Sequence, residues 1–316
     1  MNNPSSLTLH PSSLLLALDF GGTKLTAAVL SVDRQLKQPA WLAHKRIFTP
    51  AGTDARYELE TMIALGHELL AGRPVTAVGV SFGGPVDHAS GTVRLSHHVP
   101  GWHNFPLQQR LEAEFGVPVR VDNDANTAAL GEWRFGAGRG VNSLLYITVS
   151  TGVGGGWILG GQSWRGHEGM AGEIGHTVVD PNGPMCLCGK RGCVERLASG
   201  PYMAQDYRAQ VQGHGLATGK AVAEAAANGD VIARSILQRS AWALGVGIGN
   251  AANFINPQLF VLGGGVTKAG PLWWDEVRRA AHETAMPEVH FTIIPAQFAD
   301  DAPLWGAVAL VEGVQQ

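Results

Sequence analysis

One pattern occurs twice in this 316-residue chain and restricts what it can fold into. Residues 14 to 18 form an apolar run closed by Asp19 and the turn FGGTK, and a second apolar run follows through Val29 and Leu30. Ser143 to Leu159 repeats the arrangement: an apolar run, the turn STGVGGG, and another apolar run. Runs of this length, bounded by glycine, read as strands rather than helices. Two strand–glycine turn–strand hairpins in successive halves predict a duplicated α/β architecture whose halves face one cleft.

The segments between the hairpins alternate in kind. Residues 55 to 70 carry Leu59, Met62, Ile63, Leu69 and Leu70 at helical spacing, stopped by Gly72, Arg73 and Pro74. Strands are expected at 75–80 and 117–121, the first running into SFGGPVD and the second into Asp122, Asn123 and Asp124. Helices are expected at 107–115 and 125–135. Beyond the second hairpin the chain reads as helical over 201–227 and 230–254, then as a strand at 259–262, a helix at 272–285, a strand at 290–294 and a closing helix at 303–311. No low-complexity tether appears, so the domain boundary is expected at a crossing point near residue 120. The expected domains are 1–120, completed by 303–316, and a larger one over 121–302.

The charge balance narrows the partners. Net charge is −3 and the lysines and arginines are scattered, which argues against nucleic acid. No apolar run reaches membrane-spanning length, and the N-terminal MNNPSSLTLHPSS lacks the layout of a secretory signal. All three cysteines lie between His167 and Glu195, at 186, 188 and 193, and a reducing, cytoplasmic setting is expected.

With His176, those cysteines make one nitrogen and three sulfurs, the ligand set of a closed tetrahedral zinc site. Four protein ligands leave no open position for a reacting water, so the metal is expected to be structural. Glu168, Glu173 and Glu195 flank it.

The first hairpin turn places Asp19, Gly21, Gly22, Thr23 and Lys24 within one tight loop. Its backbone N–H groups can face phosphate oxygens while the carboxylate orients a metal or water. The second turn, with Thr151 and Gly152, can close on the same phosphates; it is neither a Walker loop nor a dinucleotide fingerprint, since Trp157 stands where the latter needs glycine. Gly263, Gly264 and Gly265 suit a nucleotide's base and sugar, or simply a strand-to-helix turn. Asn123 and Asp124 have the character to grip a polyol, and a carboxylate on a sugar hydroxyl can take its proton as the oxygen attacks phosphorus. Both are equally the residues of a helix N-cap.

The ordered set Asp19-Phe-Gly-Gly-Thr-Lys24, Val121-Asp-Asn-Asp-Ala-Asn126, Ser150-Thr-Gly-Val-Gly-Gly-Gly156, Gly172-Glu-Ile-Gly-His176 and Cys186-x-Cys-Gly-x-x-Gly-Cys-x-Glu195 resembles the ROK family of bacterial sugar kinases and repressors. The likeness runs from about residue 14 to 312. It implies an actin-like ATPase (ribonuclease H-like) fold, two α/β domains around a central cleft, with ATP and Mg2+ on one side and a hexose on the other. It implies Asp124 as the general base toward the sugar's 6-hydroxyl and Asn123 on neighbouring hydroxyls. Glu173, His176 and Glu195 are expected at the anomeric end, with one ring nitrogen of His176 on zinc and the other toward the sugar. Asp19, Gly22, Thr23, Thr151 and Gly152 are expected around the phosphates, and Gly263 to Gly265 near the adenosine.

Two departures touch the sugar pocket. The Ser81 to Asp87 loop, with Gly84, lacks the proline usual between its glycines, and Ser96-His-His-Val-Pro-Gly-Trp102 lacks the asparagine usual before Pro-Gly-Trp. The expected activity is that of an ATP-dependent hexose kinase, with glucose favoured and N-acetylmannosamine or fructose as alternatives. A homodimer is also implied. The rival readings are a sugar-responsive ROK repressor, for which only 18 residues precede Asp19 and no basic face exists, and a sugar-binding protein without catalysis.

Overall fold

A computed structural model describes residues 14–31, 40–96, 99–211 and 215–312. They form two compact units. The first takes the described residues that fall within 1–139, 165–170 and 301–316, and the second those within 140–164 and 171–300.

In the first unit, β1 (Leu14–Phe20), β2 (Lys24–Ser31), β3 (Trp41–Phe48), β4 (Ala77–Phe82) and β7 (Val119–Asn123) make one sheet in the order β3-β2-β1-β4-β7. β1 pairs antiparallel with β2 and parallel with β4, so it is central and buried along its whole length. Helix α1 (Ala55–Leu70) starts at Asp54, whose side chain accepts the Tyr57 N–H, and α2 (Leu107–Phe115) follows the small hairpin β5 (Val86–Asp87) and β6 (Thr92–Val93). Leu14, Leu16, Leu18 and Phe20 pack with Leu59, Met62, Leu107 and Leu111 on one face.

Helices α3 (Asp124–Phe135) and α9 (Ala302–Val311) cover the other face. The approach there is backbone to backbone. A β-carbon on Gly79 would stand 1.8 Å from the Ala307 carbonyl oxygen, and one on Gly306 would stand 1.6 Å from that of Thr127. Leu304, Trp305 and Val308 of α9 are buried, and apolar side chains of this size contribute roughly 1.5–3 kcal/mol each when fully removed from water.

The second unit repeats the sheet. β8 (Ser143–Val149), β9 (Val153–Leu159), β10 (Gln162–Trp164), β11 (Leu259–Gly263) and β12 (Thr292–Pro295) lie in the order β10-β9-β8-β11-β12, with the same sequence of antiparallel and parallel pairings. Helices α4 (Val194–Ala198), α5 (Gly200–Val211), α6 (Gly219–Ala227), α7 (Val231–Ile255) and α8 (Pro271–Thr284) complete it. The core joins Leu145, Ile147, Phe260 and Leu262 of the strands to Ile236, Leu244, Trp273 and Val277 of the helices.

The division between units falls at Arg139, not near residue 120. β7 pairs parallel with β4, from Val78 opposite Val119 to Phe82 opposite Asn123, and α3 packs on α9, so both belong to the first unit. The helical run expected over 201–227 is two helices, with 212–214 outside the described residues. No helix among the described residues is long and apolar enough to cross a membrane.

Candidate active site

In the first unit, Asp19 stands in a row of polar residues in register across all five strands: Arg46, Thr26, Asp19, Ser81 and Asp122. It is only 3% exposed, and the Ser81 hydroxyl donates to its Oδ1 at 2.8 Å. Burial lifts the Asp19 carboxyl to about 7; the Ser81 hydrogen bond opposes the rise, Asp124 adds to it, and Lys24 and Arg46 oppose it. The turn beyond is closed by Gly21 N–H on the Lys24 carbonyl and Thr23 N–H on the Gly21 carbonyl, with Gly22 in the left-handed region at φ 69°. Thr23 is exposed at its tip.

The Asn123–Asp124 pair marks the junction of β7 and α3. Asn123 is the N-cap: its Oδ1 accepts from Ala125 and Asn126, while its Nδ2 donates to the Gly84 carbonyl at 3.1 Å and to Asp124 Oδ1 at 2.9 Å. One side chain thus caps α3 and ties Gly84 and Asp124 together. Asp124 Oδ1 also accepts the Ala125 N–H at 2.8 Å. Its Oδ2 lies 3.8 Å from where a β-carbon on Gly83 would stand, against the Ser81–Asp87 loop.

Behind this turn lies a network that no motif announced. Asp122, 2% exposed, receives Arg165 through both Nε and Nη2 at 2.7 Å, the Asn123 N–H at 2.8 Å and Asn126 Nδ2 at 3.2 Å. His88 Nδ1 stands 3.6 Å away, and burial lowers that imidazole's pKa. Removing one partner of such a pair leaves a buried charge, at about 3–5 kcal/mol. A further buried carboxyl, Glu58 on α1, takes the Trp102 indole N–H on Oε2 at 2.8 Å, while its Oε1 has no hydrogen-bond partner among the described residues. Trp102 packs edge-on against Phe20 and Phe82, the neighbours of Asp19 and Gly83.

In the second unit, the β8–β9 turn is closed by Ser150 N–H on the Gly152 carbonyl, with Thr151 exposed at its tip. Glu195, in the first turn of α4, accepts the Val153 N–H at 2.9 Å on Oε2, and a β-carbon on Gly152 would lie 2.7 Å from that oxygen. Glu173 is exposed and opens the 3-10 turn Ile174–His176. That turn packs on β9 through glycine: β-carbons on Gly172 and Gly175 would stand 2.2 and 2.0 Å from the carbonyl oxygens of Gly155 and Val153. The glycine run of β9 therefore seats the glutamate–histidine turn as well as shaping its own loop.

His176, Cys186, Cys188 and Cys193 converge, with one donor atom from each all within 4.8 Å of one another and the Cys188 and Cys193 sulfurs 3.5 Å apart. Sulfurs on one tetrahedral zinc stand ~3.8 Å apart. The donor set fits such an ion on a second ground: His176 Nδ1 is buried with no hydrogen-bond partner among the described residues. Burial pushes the Cys193 thiol up to about 12 and raises Cys186, while the Lys190 backbone draws Cys188 down. A divalent cation offsets that cost by binding the thiolate forms. Short antiparallel bridges from Val178 to Cys193 and Met185 to Arg191, and the Lys190 ammonium on the His176 carbonyl at 2.6 Å, hold the knuckle.

A cavity of about 780 Å3 opens beside the β8–β9 turn, walled by α5, α6 and residues 265–270. Of the glycines expected at the adenosine, only Gly265 lines it. Gly263 and Gly264 serve packing: β-carbons there would stand 2.2 Å from the Tyr146 hydroxyl and 2.4 Å from the Val149 carbonyl oxygen. The N-termini of α5 and α6 touch at Gly200 and Gly219 and both line the cavity. Helix N-termini favour anionic groups. Alanine and glycine carry no local signal of such a role.

Two α/β units with this strand order, each with a glycine turn at the head of its central hairpin, have the actin-like ATPase fold. More narrowly, the ROK family model matches residues 15–314, and the chain belongs to that family. A glucokinase of Thermotoga maritima is 31% identical over 96% of this chain and 98% of its own length. An N-acetylmannosamine kinase of Escherichia fergusonii is 35% identical over 94% and 98%. Among solved structures, a ROK family glucokinase from Streptomyces griseus in complex with glucose and AMPPNP is 33% identical over 93% of this chain and 98% of that one, with a TM-score of 0.79.

Proposed function

We propose that this ROK protein is an ATP-dependent hexose kinase that transfers the γ-phosphoryl group to the 6-hydroxyl of glucose. The observation that carries the reading is Asp124. Its Oδ1 is fixed by Asn123 and the start of α3, and its Oδ2 lies against the Gly83–Gly84 loop. A carboxylate so oriented accepts the proton of a sugar hydroxyl as that oxygen attacks phosphorus. The first unit would also supply Asn123 and Gly84 toward the sugar, and Asp19, Gly21, Gly22, Thr23 and Lys24 toward phosphates and their magnesium. When bound with the nucleotide, magnesium supplies charge neutralisation on the transferring phosphoryl.

The second unit would supply Glu173, Glu195 and the Nε2 edge of His176 toward the sugar, and Thr151 and Gly152 toward the phosphates. Zinc on His176 Nδ1, Cys186, Cys188 and Cys193 would be structural, with no step of the reaction passing through it. A cytoplasmic homodimer goes with this reading; light scattering checks the dimer.

The E. fergusonii relative favours a second sugar, N-acetylmannosamine. A coupled assay of ADP release over glucose, N-acetylmannosamine, fructose and mannose separates the two. Highest kcat/KM with glucose is expected. Turnover confined to N-acetylmannosamine would move the assignment to the second sugar, and binding without turnover on every sugar would mark a sensor.

A further inference from the structure

The cavity of the second unit has walls of one kind and a rim of another. Met203, Ala223, Ala227, Val266 and Ala269 provide apolar walls. The polar side chains that line it stand in water or in the hairpin turn. Thr218 Oγ1 accepts the Ala221 N–H at 3.1 Å as the N-cap of α6. Lys220 and Glu224 face each other at 3.7 Å with side chains 85% and 62% exposed, and Lys268 is exposed. Ser150 and Thr151 belong to the hairpin turn assigned to phosphates.

We infer that this cavity takes the nucleoside end of the phosphoryl donor by shape and apolar contact without reading the edge of the base, so that the enzyme accepts purine nucleoside triphosphates as a class. The inference rests on the hexose-kinase reading. Its physical ground is that a pocket rejects a near-isostere strongly, by about 10^4–10^5, only where a fixed polar group would be left unpaired by the wrong ligand; apolar contact discriminates by roughly 10–200-fold. Among the described residues no buried side chain of the lining offers such a partner. The N–H groups at the start of α6 are donors, which ring nitrogens common to all purines can satisfy. Size still counts, since a one-ring base covers less of the alanine and valine wall.

The order of donors is therefore set by ring area. With the full chain and saturating glucose, kcat/KM for ITP and GTP should fall within about 30-fold of ATP, with UTP and CTP below all three. Direct calorimetric binding of ADP, GDP and UDP supplies a readout independent of turnover, and the diphosphates should follow the same order. Ala223→Leu, which narrows the apolar wall, should raise KM for ATP and GTP by the same factor. A preference for ATP over GTP of 10^3 or more with normal sugar turnover overturns the inference and leaves the kinase reading intact, as does an effect of Ala223→Leu confined to ATP. Equal binding of ADP and GDP by a protein that phosphorylates no sugar would support the inference and remove the kinase reading. Binding of none of the diphosphates would remove the cavity as a nucleoside site.

Discussion

The two central hairpins share strand order, pairing and a turn at the same end of the sheet, yet they acquire their carboxylates by opposite routes. β1 carries its own, Asp19, in the strand and buried under a hydrogen bond from Ser81. β8, the counterpart of β1, has Thr148 at that place, and the acid beside its turn is delivered from outside: Glu195 reaches the Val153 N–H from a helix that begins one residue after Cys193. The strand-borne acid is held by the sheet itself and is costly to ionise. The delivered acid is half-buried, and its position depends on a knuckle of short bridges. A duplicated scaffold thus places one acid through register and the other through a side loop that a metal can staple.

Four measurements test this contrast. The largest effect is expected at the junction beside the first hairpin, where Asp124→Asn should lower kcat by about 10^3 with sugar binding nearly unchanged, measured by steady-state kinetics and calorimetry. Full activity in that variant would remove the proposed base. Asp19→Asn should lower kcat by roughly 10^2, with KM for the sugar unchanged. Stripping the metal with a chelator, or Cys193→Ser, should raise the sugar's KM about tenfold or more and expose residues 176–195 to protease, leaving ATP binding close to the parent's. If chelated protein has unchanged kinetics and protease resistance, the second acid does not depend on the knuckle.

The smallest effect is on stability, and it belongs to the strand-borne acid. Asp19 titrates near 3.8 when unfolded and about 7 when folded, so between those values the native state binds the extra proton. Stability accordingly falls as pH rises through that window, and the cost is fully present above it. In magnesium-free and nucleotide-free buffer, Asp19→Asn should therefore melt roughly 5 °C above the parent at pH 8 and converge with it near pH 4. An equal gain in Glu195→Gln would show that the distinction between the two carboxylates is false.

The hairpins were legible because apolar runs ended by glycine are local signals, and the convergence of His176 with the three cysteines because all three thiols lie within eight residues. Asp19, Asp124 and Glu195 could be named from motifs. Their surroundings could not, because these depend on pairing between distant segments. β3 was missed: Trp41–Phe48 is a partly exposed edge strand bearing His44, Lys45 and Arg46, so it lacks the apolar run that marked β1. The boundary was misplaced because only the parallel register of β7 on β4 shows which unit Asn123 and Asp124 belong to. Gly263 and Gly264 stand where close approach requires glycine, which a sequence alone does not distinguish from a ligand loop, and the alanines of the cavity wall carry no motif. Arg165 lies 43 residues from Asp122 in sequence, and neither residue alone foretells the ion pair.

The helix that closes the first unit also fixes an order of events. Ala302–Val311 fills the space against Gly79 and Thr127, so the sheet begun by Leu14 has α3 alone on that face until residue 311 has been synthesised. The second unit has its last strand by Pro295. On a ribosome the earlier-made half therefore waits, on the order of ten seconds at ordinary elongation rates, with part of an apolar sheet face open to chaperones or to a neighbouring nascent chain. A ribosome-bound chain halted after Asp300, and long enough in its tether to clear the exit tunnel, should show a protease-resistant later half and a digestible earlier one.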